Sequence, residues 1–95
     1  MPTVLITGTS TGIGLATALA FGRAGHTVAA TMRHPQRAPE LADLAAREKL
    51  PIAVSAMDVD DDRSVSDGIR RIVSAMGPID VLVNNAGIDA SGPVE

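Results

Sequence analysis

A chain of 95 residues has room for one domain at most, with a core that buries only about 60% of the surface its unfolded chain exposes. A composition of 45% hydrophobic and 20% charged residues belongs to a globular protein, and a net charge of −3 argues against a nucleic-acid partner, which would call for a basic face. The absence of cysteine excludes disulfides and thiolate metal sites, and two histidines, His26 and His34, are too few for a metal cluster.

The elements follow one another regularly. The N-terminus enters a strand pattern by Thr3, without a basic leader or a long apolar segment, and no apolar stretch approaches the ~18 residues of a membrane span. The cytoplasm is the expected location. Thr3–Thr7 reads as a buried strand, a continuous apolar run without charge. Ile13–Ala24 reads as a helix with Leu15, Leu19 and Phe21 on its apolar side and Gly25 as its stop. Thr27–Met32 is a second strand, followed by a loop punctuated by Pro35 and Pro39. Glu40–Lys49 is a second helix, with Leu41, Leu44 and Ala45 on one side, closed off by Pro51. Ile52–Met57 is a third strand. Asp60, Asp61 and Asp62 form an acidic entry suited to a helix N-terminus, and the helix runs to Met76 with Val65, Ile69, Ile72, Val73 and Met76 along one face. Gly77-Pro78 ends it; Ile79–Asn84 is a fourth strand, and residues 88–95 read as a loop. Strands alternating with helices in this way imply an α/β fold with a parallel sheet and right-handed crossovers.

Between the first strand and the first helix lies Thr7-Gly8-Thr9-Ser10-Thr11-Gly12-Ile13-Gly14. Glycine permits the positive φ of a tight turn and lets a diphosphate approach backbone N–H groups without a Cβ in the way. The helix that follows offers unpaired N–H groups and the positive end of its dipole, and Ser10 and Thr11 add hydroxyl donors. A P-loop is excluded, because Gly12 is followed by Ile13 and Gly14 rather than by Lys and Ser/Thr. In a βαβ context the run points to a dinucleotide; the alternative is a glycine-rich turn without a ligand. Val81-Leu82-Val83-Asn84-Asn85-Ala86-Gly87 places two asparagines at the carboxyl end of the fourth strand, where ligands sit in open α/β sheets. Their amides suit tying strand ends together beside a nucleotide, or making an ordinary turn.

Together, the glycine run and Asn84-Asn85-Ala86-Gly87 resemble the T-G-x-x-x-G-I-G and N-N-A-G motifs of the short-chain dehydrogenase/reductase family. Asp58-Val59 looks like the acid-plus-apolar pair that flanks the adenine ring in that family, and the resemblance spans the whole chain. Ala30-Thr31-Met32-Arg33 looks like the second-strand end of its steroid and retinol dehydrogenase branch. The resemblance implies a three-layer, Rossmann-type, doubly wound parallel sheet, here truncated after the fourth strand. It also implies cofactor contacts. Gly8, Ser10, Thr11, Gly12, Ile13 and Gly14 would meet pyrophosphate and ribose, and Asp58 would accept from the adenine amine while Val59 packs on the ring. Asn84 would face the nucleotide, and the Asn85-Ala86-Gly87 backbone would pass beside the adenosine ribose. The other reading of Asp58 is a capping or solvated carboxylate.

NAD-preferring sites of this type place a carboxylate at the end of the second strand. Ala29 to Met32 supplies none, and Arg33 comes next, with Arg37 close behind. A guanidinium pairs with a 2′-phosphate, so the cofactor expected is NADP, with NAD possible; the alternative is a solvated arginine leaving a strand. The chain holds no tyrosine and a single lysine, Lys49, whereas the family's hydride transfer uses a tyrosine with a lysine four residues on, a serine and a further asparagine. Expected, then, is the cofactor-binding half of an oxidoreductase acting on an alcohol/ketone pair, with no catalytic residue and no metal ligand of its own and inactive alone. The rival classes are a non-catalytic nucleotide-binding module and an α/β methyltransferase-like fragment. An apolar fourth strand without a neighbour on its far side invites self-association.

Overall fold

A computed structural model of the chain describes residues 2–85. Four strands and three helices alternate: β1 (Thr3–Ile6), α1 (Gly12–Arg23), β2 (Thr27–Met32), α2 (Glu40–Glu48), β3 (Ile52–Ala56), α3 (Asp62–Met76) and β4 (Val81–Val83). A single 3-10 turn, Pro35–Arg37, stands between β2 and α2. The strands form one parallel sheet in the order β3-β2-β1-β4. β1 is central, with Val4 beside Val28 and Val81, and Ile6 beside Ala30 and Val83.

Both faces of β1 and β2 are covered, which is why their side chains are apolar in unbroken runs. Val4, Ile6, Val28, Ala30 and Met32 point to one face and pack with Ala18 and Leu19 of α1 and Leu41 of α2. Leu5 and Ala29 point to the other and pack with Met57 and with Ile72 of α3. The result is three layers, with α1 and α2 on one side and α3 on the other, as expected.

The differences from the expected elements have physical causes. β1 stops at Ile6, one residue early: the Thr7 N–H still donates to the Val83 carbonyl at 3.1 Å, and the chain then bends into Gly8, whose φ of +66° does not continue a strand. α1 starts one residue early, at Gly12, and ends at Arg23. It also buries a different stripe. Gly14, Ala18, Leu19 and Gly22 are its buried residues, while Leu15 and Phe21 are only half-buried. Small residues four apart bring the α1 backbone close to the sheet, and the larger side chains flank that seam. α2 closes one residue early at Glu48, with Lys49 in the left-handed conformation (φ 57°) and its N–H turned back to the Ala45 and Ala46 carbonyls. In α3, Gly68 and Ile72 are buried, whereas Ile69 and Val73 face outward. β3 ends at Ala56. β4 is only three residues long, and Val81 and Leu82 are exposed, since among the described residues β1 alone adjoins it. Asp80 secures its entry: its carboxylate accepts from the Thr3 N–H at 2.8 Å, and its own N–H donates to the Thr3 carbonyl.

Arg23 at the end of α1 forks onto Glu48 at the end of α2, with Nε and Nη2 donating at 2.9 and 2.7 Å. This hydrogen-bonded pair lowers the Glu48 carboxyl below its ordinary range and raises the Arg23 guanidinium. Among the described residues no helix is long and apolar enough to cross a membrane.

Candidate cofactor cleft

The carboxyl ends of β1, β2 and β3 open onto a cleft of about 570 Å³, within the range of small-molecule sites. Its floor begins at the β1–α1 turn. Gly8 and Gly12 hold φ angles of +66° and +61°, a conformation in which a Cβ is disfavoured, and these two glycines carry the chain from strand to helix. Thr9 is fully buried and anchors the turn to β2: its N–H and its hydroxyl both donate to the Thr31 carbonyl, at 3.2 and 3.1 Å. The Thr31 hydroxyl donates in turn to the Ile6 carbonyl at 3.2 Å. The turn is therefore rigidly tied beneath, while its upper side is free.

That upper side has the features of an anion cradle. A Cβ built on Gly12 would meet nothing within 4 Å, so open space lies above the turn. The Thr11 side chain, at the N-cap of α1, makes no capping hydrogen bond, and the first turn of α1 contains no acidic residue. The leading N–H groups of α1 thus lack a protein partner of the usual kind and carry the positive end of the helix dipole. Ser10 and Thr11 line the cleft beside them, and Ile13 stands 71% exposed on the first helical turn. Gly14 lies underneath, where a Cβ would land on the Gly8 carbonyl oxygen and 2.6 Å from the Asn85 amide nitrogen.

The asparagines after β4 brace this arrangement. The Thr7 hydroxyl donates to Asn84 Oδ1 at 3.1 Å, and Asn85 Nδ2 donates to the Gly8 carbonyl at 2.9 Å. Both bonds join the ends of β1 and β4, one of the two sequence readings of the pair. Ala86 and Gly87 lie outside the described residues.

The opposite wall is made by the end of β2 and the β3–α3 loop. Arg33, His34 and Arg37 line it from one side and Met57, Val59 and Asp60 from the other. Asp58 turns the loop: its Oδ1 accepts from the Asp60 N–H at 3.0 Å, and its own N–H donates to the Ser64 hydroxyl at 2.9 Å. Asp61 is the N-cap of α3, accepting from the Arg63 and Ser64 N–H groups at 3.0 and 3.3 Å. Asp60 does neither. Its carboxylate accepts from Arg33 Nη2 at 2.7 Å, while Arg33 Nε lies 3.5 Å from Asp58 Oδ1.

Of the residues singled out from sequence, Gly8, Ser10, Thr11, Arg33 and Val59 line the cleft directly, and Gly12, Ile13, Gly14, Asp58, Asn84 and Asn85 surround or support it. Sequence reasoning missed Thr9, Met57 and the role of Asp60. The only available signal for Asp60 was its charge, opposite to that of Arg33, and nothing in the sequence brings residues 27 apart together.

Comparison with known proteins agrees with this geometry. The family model for short chain dehydrogenases matches residues 2–95. Gluconate 5-dehydrogenase of Gluconobacter oxydans is 38% identical over 91 residues, which are 96% of this chain and 36% of that protein. Among solved structures, an actinorhodin polyketide ketoreductase variant with NADPH superposes with a TM-score of 0.82 at 27% identity, over 88% of this chain and 32% of the other. An alcohol dehydrogenase of the archaeon Thermococcus sibiricus, complexed with 5-hydroxy-NADP, gives 0.77 at 29% identity, over 86% and 35% of the two chains. The chain spans about a third of the length of these relatives.

Proposed function

The chain belongs to the short-chain dehydrogenase family, and on that premise we propose that its cleft holds the adenosine diphosphate portion of a nicotinamide dinucleotide, NADP in preference to NAD. The observation that carries the reading is the β1–α1 turn: two glycines at positive φ beneath open space, leading into a helix whose first turn has neither a side-chain cap nor an acid. A pyrophosphate satisfies those leading N–H groups and complements the helix dipole. Gly8, Ser10, Thr11, Gly12, Ile13 and Gly14 serve the pyrophosphate and its ribose. Asp58 and Val59 serve the adenine, while Asn84 and Asn85 hold the neighbouring strand ends, with Ala86 and Gly87 continuing beside the ribose. Arg33, at the end of β2, serves the 2′-phosphate. The NADPH and NADP of two structural relatives support the phosphorylated form.

Residues 1–95 form part of a dinucleotide-binding domain in this reading, located in the cytoplasm. The whole protein transfers hydride between the nicotinamide and an alcohol/ketone pair, chemistry that the bound cofactor supplies. This chain's share is to bind and orient, and alone it is inactive. It contains no tyrosine, and Lys49 sits at the far end of α2, so the tyrosine–lysine pair that serves the family's proton transfer is not among its residues.

Thermal unfolding tests the reading. NADPH at about 100 times its Kd should stabilise the chain by about 2.7 kcal/mol, while S-adenosylmethionine, which has no pyrophosphate, should leave the midpoint unchanged. Equal protection by both, or by neither, refutes a pyrophosphate cradle. We also propose that the exposed Val81 and Leu82 edge of β4 drives self-association of the isolated chain. Gel filtration should then give a species larger than the 9.7 kDa monomer, and a sharp monomer peak that melts cooperatively contradicts it.

A further inference from the structure

We propose that Asp60 determines how strongly this cleft discriminates between the two dinucleotides: it holds the Arg33 guanidinium and supplies, from the β3–α3 loop, the carboxylate that the end of β2 lacks. The inference rests on the dinucleotide reading of the cleft and extends it.

Three observations place the function in the Asp60 side chain. Its carboxylate is only 2.7 Å from Arg33 Nη2, and both residues line the cleft. It is not consumed by the local structure, because Asp61 caps α3 and the Asp58 carboxylate shapes the loop. It is also accessible, with 75% of its side chain exposed, as is 60% of that of Arg33. Arg37 lines the same wall, and among the described residues its side chain makes no hydrogen bond or ion pair.

The physical consequence differs for the two ligands. A 2′-phosphate arriving at Arg33 meets a guanidinium already paired with Asp60, with Asp58 3.5 Å from its Nε. It must displace or share that carboxylate, and its charge is repelled by both acids. A 2′-hydroxyl carries no charge and can donate to the Asp60 carboxylate, as the strand-end carboxylate does in NAD-preferring sites. Asp60 therefore weakens the preference that Arg33 alone would impose, so that the cleft accepts both cofactors.

The test is calorimetric titration of the chain with NADPH and with NADH at constant ionic strength. Asp60→Asn should tighten NADPH by about two- to fivefold, the scale of freeing a solvent-exposed guanidinium from an ion pair. NADH should hold or weaken, and Asp60→Ser should repeat the pattern if the charge is what matters. In an Arg33→Ala background the gain for NADPH should shrink, because only direct repulsion is then removed. An unchanged NADPH-to-NADH ratio in both Asp60 variants, with far-UV circular dichroism as in the parent chain, overturns the role of Asp60 while leaving the cofactor reading intact. A parent chain that binds neither dinucleotide overturns both.

Discussion

Gly14→Ala is expected to cost the chain stability and its dinucleotide affinity together. The first turn of α1 lies so close to the β1–α1 turn that the added Cβ would fall on the Gly8 carbonyl oxygen, with its carbon and the Asn85 amide also within 3 Å. These are backbone atoms and a hydrogen-bonded amide, not the loose end of a side chain. The strain is relieved by moving the start of α1 outward, which misaligns the leading N–H groups, or by pushing Gly8 and Asn85 away, which disturbs the 2.9 Å bond between them. Forced overpacking of this kind costs about 1–3 kcal/mol, more than the ~1 kcal/mol that alanine returns in helix propensity. In a domain of this size each kcal/mol lowers Tm by roughly 4–8 °C. NADPH affinity should fall by at least about tenfold, since each N–H lost to a phosphate is a charge-assisted bond.

Gly68→Ala, in the middle of α3, is the internal control. There the Cβ would meet chiefly Met57 Cε at 2.5 Å, the end of a flexible side chain that can rotate away. That variant should stay within about 1 kcal/mol of the parent, and because Met57 lines the wall of the cleft away from the phosphate turn, its NADPH affinity should change far less than that of Gly14→Ala. If Gly14→Ala melts and binds like Gly68→Ala, the close approach of α1 to the Gly8 turn is not what builds the cradle.

The contrast between these glycines also shows what the sequence could and could not convey. The Gly8–Gly12–Gly14 spacing was legible because a strand-to-helix turn with positive φ has few chemical solutions, and the structure puts positive φ at Gly8 and Gly12 and the close approach at Gly14. The position of β4 beside β1 is the one that the Rossmann-type sheet implied by the resemblance requires. The buried stripe of α1 was not legible in the same way. Hydrophobicity finds Leu19, which is buried, and with it Leu15 and Phe21, which pack half-buried at the edge of the core; the rest of the buried stripe is Gly14, Ala18 and Gly22, whose small size matters more than their transfer energy. Asp60, Asp61 and Asp62 are alike in sequence, and only the geometry of the loop gives the cap to Asp61 and the cleft to Asp60. The pairing across 27 residues is a property of where β2 and β3 end, which a local pattern does not contain.

Arg33→Asp should reverse the cofactor preference of the cleft. Arg33 directly follows Met32, the last residue of β2, so its backbone is fixed by the sheet while its guanidinium reaches between Asp58 and Asp60. Removing the guanidinium deletes the proposed partner of the 2′-phosphate, a charged hydrogen bond of about 1.5–3 kcal/mol. The new carboxylate then adds a third acid to the two already there and repels the phosphate, while offering the ribose 2′-hydroxyl of NADH an acceptor at the strand end. The NADPH-to-NADH affinity ratio is expected to fall by about 100-fold or more, the sum of a lost attraction and a gained repulsion at ~1.4 kcal/mol per decade. Arg33→Ala separates the two contributions: it removes the attraction without supplying the repulsion and should fall between the parent and Arg33→Asp. Added salt should narrow the gap between the parent and Arg33→Asp, because both side chains act on an exposed charge. A ratio that stays put in Arg33→Asp, measured by titration on folded protein, means that Arg33 is a solvated arginine leaving a strand and that the phosphate, if it binds, is read by another cation on the same wall, with Arg37 the nearest in sequence.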